Sequence, residues 1–123
     1  MPLPPINSYE DLIAWQRAYE LTIALYRQAS AFPPDERFGL TSQMRRAAVS
    51  IPSNIAEGWG RNATADYERF LRMARGSAYE LHTQIRLAID LQLLKTGEPL
   101  LPMIIEVERL LNGLLRSLQT HHS

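Results

Sequence analysis

The feature that most constrains this chain is a helical spacing of apolar residues that recurs four times, each run closed off by proline or glycine. Apolar side chains three and four positions apart line one side of an α-helix, whereas a half-buried strand needs strict alternation, and no alternating run of useful length is present. Leu12, Trp15, Tyr19, Ile23 and Tyr26 keep the helical spacing, and a second stripe, Ala14, Ala18, Leu21 and Leu25, lies beside them. Ser8 with Asp11 three residues on reads as a capping box that uses aspartate in place of glutamate. A first helix is therefore expected over residues 9–31, stopping before Phe32-Pro33-Pro34 because a residue preceding proline is pushed out of helical dihedrals. Leu40, Met44, Ala47, Ala48, Ile51 and Ile55 predict a second helix over 36–59, with Gly58 and Gly60 as left-handed stops. Tyr67, Leu71, Ala74, Ala78, Leu81, Ile85, Ala88 and Ile89 predict a third over 65–95, with Thr64 as N-cap. Leu101, Ile104, Glu108, Leu111, Leu115 and Leu118 share a line on a fourth over 99–118, flanked by Ile105, Val107, Leu110 and Leu114, before a frayed Thr120-His121-His122-Ser123 tail. The expected fold class is all-α: one domain over 1–123, an antiparallel up-down-up-down four-helix bundle.

Composition narrows the function. With 46% apolar residues the 123-residue chain can build a core. No stretch reaches the ~18 consecutive apolar residues of a membrane span, and Met1-Pro2-Leu3-Pro4-Pro5 lacks the pattern of a secretory leader. Cysteine is absent, which removes disulfides and thiolate metal sites and suits a cytoplasmic location. Net charge is zero, with 13 basic and 13 acidic side chains. The charge is unevenly spread: from Arg37 to Arg86 there are eight arginines (37, 45, 46, 61, 69, 72, 75 and 86) against Glu57, Asp66, Glu68 and Glu80. Several helices are apolar over a wide arc, and a slim bundle buries a modest share of its surface alone, so self-association through a lateral helix face is expected.

The segment Ser50-Ile51-Pro52-Ser53-Asn54-Ile55-Ala56-Glu57-Gly58 sits inside the second predicted helix. Pro52 has no N–H to give the carbonyl of Ala48, and its ring crowds that carbonyl, so a bend is expected there. Asn54 and Glu57 share a face, with Arg61 four residues beyond. They read either as polar groups bonding a neighbouring helix or subunit, the favoured reading, or as a catalytic carboxylate with an amide orienter.

Together with "LIAWQRAYEL", "LTSQMRRAAVSI" and "YERFLRMARGSAYEL", this segment resembles the 23S rRNA intervening-sequence protein family, relatives of the accessory variability determinant proteins of diversity-generating retroelements. The resemblance spans roughly residues 9–118. It implies a ring-shaped homo-oligomer, a homopentamer of four-helix bundles around a central channel, with no catalysis. Ser50, Pro52, Asn54, Glu57 and Gly58 are its signature positions. The retroelement relatives bind nucleic acid and a reverse transcriptase through a strongly basic surface, whereas this chain has zero net charge.

Other chemistry has no sequence support. Glu80 and His82 are two apart and point to different faces, so no carboxylate–histidine metal pair is expected. Gly-rich nucleotide loops and a serine or cysteine nucleophile with a histidine base are lacking. No catalytic residue, metal, cofactor or small-molecule substrate is assigned. The leading expectation is a non-enzymatic cytoplasmic scaffold whose partner is itself. The alternative is a nucleic-acid-binding accessory protein that meets RNA or DNA, and a reverse transcriptase-like partner, through Arg45, Arg46, Arg61, Arg69, Arg72 and Arg75. The bland alternative for those arginines is a solvated face with internal pairs such as Glu68–Arg72, and Trp59 is the one aromatic outside the stripes suited to stacking on a base.

Overall fold

The computed structural model describes residues 5–36 and 39–122, with the backbone alone at 120–122. Met1–Pro4, Arg37 and the side chains of His121 and His122 lie outside the described residues. Four long helices account for most of the described chain: α1 (Ile13–Ala29), α2 (Leu40–Trp59), α3 (Thr64–Asp90) and α4 (Leu100–His122). No strand occurs among the described residues. α1 packs on α2 and α4, and α3 packs on α2 and α4, so the helices surround one core in chain order.

Each element boundary has a local cause. Ser8 does form the capping box with Asp11, but the box closes a short 3-10 turn, Tyr9–Asp11. Leu12 then takes an extended conformation, and α1 begins only at Ile13. Pro34–Glu36 forms a separate 3-10 turn, so α2 starts at Leu40 rather than near 36. Thr64 is the first residue of α3, and Ala63 stands at the N-cap.

The largest departure from the sequence reading is the end of α3. It stops at Asp90, short of 95, because Gln92 enters the left-handed region at φ 64°. The Leu93 N–H donates to the Ala88 carbonyl (2.8 Å) and the Gln92 N–H to the Ile89 carbonyl (3.0 Å), the bond pair of a Schellman stop. Glycine normally fills that left-handed position, and its absence hid the stop. Neither Gly58 nor Gly60 is left-handed: no described glycine has positive φ. α4 runs past the expected 118 to His122, in the segment expected to fray; Ser123 lies outside the described residues.

The two apolar stripes of α1 separate into different roles. Ala14, Ala18, Leu21 and Leu25 are buried, while Tyr19 (51%), Ile23 (40%) and Tyr26 (42%) remain exposed. Met44, Ala47, Ala48, Ile51 and Ile55 of α2 meet Leu71, Ala74, Ala78, Leu81 and Ile85 of α3, with Leu100, Ile104, Val107, Leu111 and Leu115 from α4. Each fully buried Leu or Ile contributes on the order of 1.5–3 kcal/mol relative to exposure. The many buried alanines keep the helix axes close, which sets up the contacts around Pro52.

Candidate functional site

α2 continues through Pro52, which is buried. The carbonyl it leaves without a helical partner belongs to Ala48. That oxygen accepts instead from the Thr22 hydroxyl of α1 at 3.1 Å, which also lies 2.8 Å from the Ala18 carbonyl of its own helix. One hydroxyl hydrogen is thus shared between two carbonyls, and α1 replaces the donor that proline lacks.

The remaining signature residues fall into two groups. Asn54 Nδ2 donates to the Ser50 carbonyl (2.8 Å) and to Ser50 Oγ (2.9 Å), and Ser50 Oγ lies 2.9 Å from Ser77 Oγ on α3. Asn54 therefore braces its own helix and orients a serine–serine bridge between α2 and α3. Gly58 marks the closest approach of the same helices: a Cβ there would fall 2.7 Å from Phe70 Cβ and 3.1 Å from the Tyr67 ring. Close approach, with no special backbone conformation, is why this position takes glycine. Glu57 belongs elsewhere. It is exposed and pairs with Arg61 at 2.7 Å, one turn along. Asn54 and Glu57 do not converge on a common cavity.

Five of the six arginines have a partner. Arg45 lies over the Tyr26 ring, 5.0 Å from its centroid, toward α1. Arg61 and Arg69 both cover Phe70, at 4.9 and 4.6 Å, where Glu57 and Asp66 offset them. Arg72 pairs with Glu68 at 3.5 Å. Arg75 donates to Asn112 Oδ1 of α4 at 3.1 Å, and Asn112 Nδ2 donates onward to the Tyr79 hydroxyl at 3.4 Å. Arg46 alone of the six is exposed with no ion pair or ring contact among the described residues. Arg45 thus turns toward α1, Arg61 and Arg69 toward Phe70, and Arg75 toward α4.

Sequence spacing missed one polar pair. His82 Nδ1 lies 2.6 Å from Glu108 Oε2 across α3 and α4, both side chains largely buried. Local spacing compared His82 with Glu80, while the true partner is 26 positions away. No group of three or more potential metal ligands occurs among the described residues.

Two apolar grooves flank α1. One, of about 340 Å³, lies between α1 and α2 and is lined by Tyr19, Ile23, Val49, Pro52, Ser53 and Ala56 among others. Trp15 at its edge stacks on Tyr19 (5.0 Å, 28°) and meets Tyr9 edge-on (5.4 Å, 62°). The other, of about 590 Å³, lies between the start of α1 and α4, with Ile6, Ile13, Leu110, Leu114 and Arg109 in its walls. Trp59 is half-buried and packs edge-on against Tyr67, 6.2 Å between centroids. Burial raises the Tyr67 hydroxyl above its ordinary pKa of 10.0. No helix among the described residues is long and apolar enough to cross a membrane.

The family model of the 23S rRNA-intervening sequence protein matches residues 10–113, the span that holds α1 to α3 and most of α4. No sequence among curated proteins matches the chain. The match covers all of α1, the Pro52 segment and the Gly58 contact, and the chain belongs to the 23S rRNA-intervening sequence protein family.

Proposed function

We propose that this protein is a non-enzymatic, cytoplasmic, self-assembling helical bundle that serves as a scaffold. Its helices run alternately up and down, and its copies close into a ring. The direction of the helices is supported by paired contacts: Thr22 with Ala48 and Tyr26 with Arg45, Ser50 with Ser77 and Gly58 with Phe70, His82 with Glu108 and Arg75 with Asn112, so rising numbers on one helix meet falling numbers on the next. The observation that carries self-assembly is the large apolar side chains left at the surface of α1 and α2, Tyr19, Ile23, Tyr26 and Val49, each 40–51% exposed. Exposed apolar side chains that line one groove, as Tyr19, Ile23 and Val49 do, mark association sites. Five as the ring number rests on the family resemblance.

The nucleic-acid reading survives in a narrower form. Five of the six arginines are occupied by carboxylates, an amide or aromatic rings, which leaves Arg46 as the one of the six without such a partner among the described residues. Native mass spectrometry at low salt tests both readings. A ring mass with nothing bound supports the scaffold. A ring carrying nucleic acid that salt releases promotes the accessory role, since phosphate contacts weaken steeply with salt. A monomer at micromolar concentration overturns self-assembly.

A further inference from the structure

We infer that the groove between the start of α1 and α4 binds a small amphiphile. Its apolar chain lies along Ile6, Ile13, Leu110 and Leu114, and its single carboxylate pairs with Arg109. The ligand is a free single-chain carboxylate of the medium-chain fatty acid kind. This goes beyond the self-assembly proposed above and does not depend on it, because Tyr19, Ile23 and Val49 line the other flank of α1.

Two observations carry it. The first is size and shape. At about 590 Å³ the groove falls within the roughly 300–1,000 Å³ of small-ligand sites, which join apolar walls to a few placed polar groups. Along α4 the wall begins at Arg109 and ends at Ser117, a span of about 12 Å at the helical rise. A chain fits along it with its head at one end. The second is charge complementarity. Arg109 has no partner among the described residues, whereas the acids around it are taken. Asp11, the other charged side chain in the wall, accepts the Asn7 N–H (2.9 Å) and the Ser8 N–H (3.2 Å). Glu106, one turn before Arg109 on α4, pairs with Arg17 of α1 at 3.3 Å. Gln16 is committed as well, its Nε2 donating to the Glu10 carbonyl at 2.9 Å. A guanidinium left open at the rim of an apolar groove fits a carboxylate, which it meets through two parallel N–H donors. One cation offsets one negative charge, which favours a carboxylate over the nearly doubly charged phosphate. The α1–α2 groove has no acidic or basic side chain in its lining and so offers no such head site.

The test is calorimetric titration of the full chain, in whatever assembly state it holds, with decanoate below its micelle concentration. Decanol supplies the same chain without the charge. Saturable binding of one decanoate per chain is expected. Arg109→Ala should weaken it about tenfold or more, the loss of a charged bonding partner. Arg46→Ala removes an equal charge outside the groove and should leave binding unchanged. Decanol should bind the wild type more weakly than decanoate does, and should not distinguish it from Arg109→Ala. Gly113 lies in the groove wall, and a Cβ there would meet nothing within 4 Å, so Gly113→Leu can fill the groove without displacing the bundle. It should abolish binding with no fall in melting temperature. Ile13→Glu serves if Gly113→Leu does not fold, as judged by far-UV circular dichroism. Ile13 is exposed at the first position of α1, where an acid suits the helix dipole, and the new carboxylate shares the wall with Arg109 and competes with the ligand's. No saturable binding of decanoate overturns the proposal, as does equal binding in wild type, Arg109→Ala and the groove-blocked variant. A wild type that binds nothing while Gly113→Leu falls to a smaller mass also overturns it, since a second copy then fills the groove. Native mass spectrometry on the same samples separates the two readings: a monomeric wild type that binds decanoate overturns self-assembly and leaves this site standing.

Discussion

Thr22 and Pro52 are predicted to be energetically coupled, although their side chains are joined only through a carbonyl that belongs to neither. Thr22→Val removes the hydroxyl and keeps the branched shape. The Ala18 carbonyl sits at the ordinary helical distance from residue 22, four residues back, whereas the Ala48 carbonyl has proline where its donor belongs and so depends on the hydroxyl. Ala48 is fully buried, and a buried carbonyl left without a donor costs about 1–3 kcal/mol. The added methyl returns up to ~0.8 kcal/mol of burial, so a net loss of about 1–2 kcal/mol is expected. For a chain of this size that is roughly 3–5 °C in Tm per kcal/mol. Pro52→Ala restores an N–H four residues after Ala48, and in that background Thr22→Val should become nearly neutral. The assay is urea unfolding by circular dichroism on all four proteins at one protein concentration, because an assembling protein has concentration-dependent stability. A coupling of about 1 kcal/mol is expected. Equal losses from Thr22→Val in both backgrounds would refute the view that the hydroxyl replaces the proline's missing donor.

The remaining predictions concern separate contacts. Gly58→Ala should destabilise by about 1–3 kcal/mol, since the new Cβ overpacks against Phe70; a thermal melt in which alanine's ~1 kcal/mol helix advantage wins would contradict this. Glu57→Ala should change unfolding free energy by less than about 0.5 kcal/mol, because its pair with Arg61 is exposed on both sides and screened. Gln92→Gly should raise stability by up to about 1 kcal/mol, the left-handed strain it relieves exceeding the entropy glycine adds to the unfolded chain; chemical denaturation reads the sign. Tyr67 is held neutral in the fold, so its contribution is fully present below pH 10.0 and is lost as pH rises beyond, where the unfolded chain ionises first. Tyr67→Phe should flatten the alkaline fall in a pH series of melts.

Much of the architecture was legible because it depends on period alone. The stripes of α2 and α3 face the core as their spacing predicts, with Leu40, Tyr67 and Ile89 only partly buried at their ends, and the Ser8–Asp11 box forms. Where two stripes compete on one helix, period cannot choose between them. On α1 the alanine–leucine stripe went inward because small residues let α2 and α4 approach, and the aromatic stripe stayed out. The α3 stop was illegible because it uses glutamine in a position that glycine usually marks. The signature segment was legible as a problem, a missing donor at Ala48, and its solution was not, because the donor is 26 residues away on another helix. The same limit hid His82–Glu108, the turn of Arg45 toward Tyr26 and the bond of Arg75 to Asn112.

The two tryptophans stand in unlike surroundings, and this makes the protein its own spectroscopic probe. Trp15 is half-buried at the rim of the α1–α2 groove, stacked on an exposed tyrosine, so its emission responds to whatever covers that face. Trp59 lies at the α2–α3 junction against Tyr67, so its emission responds to loss of helix packing. With Trp59 replaced by Phe, dilution followed by fluorescence isolates the covering of the groove; with Trp15 replaced, denaturant isolates unfolding.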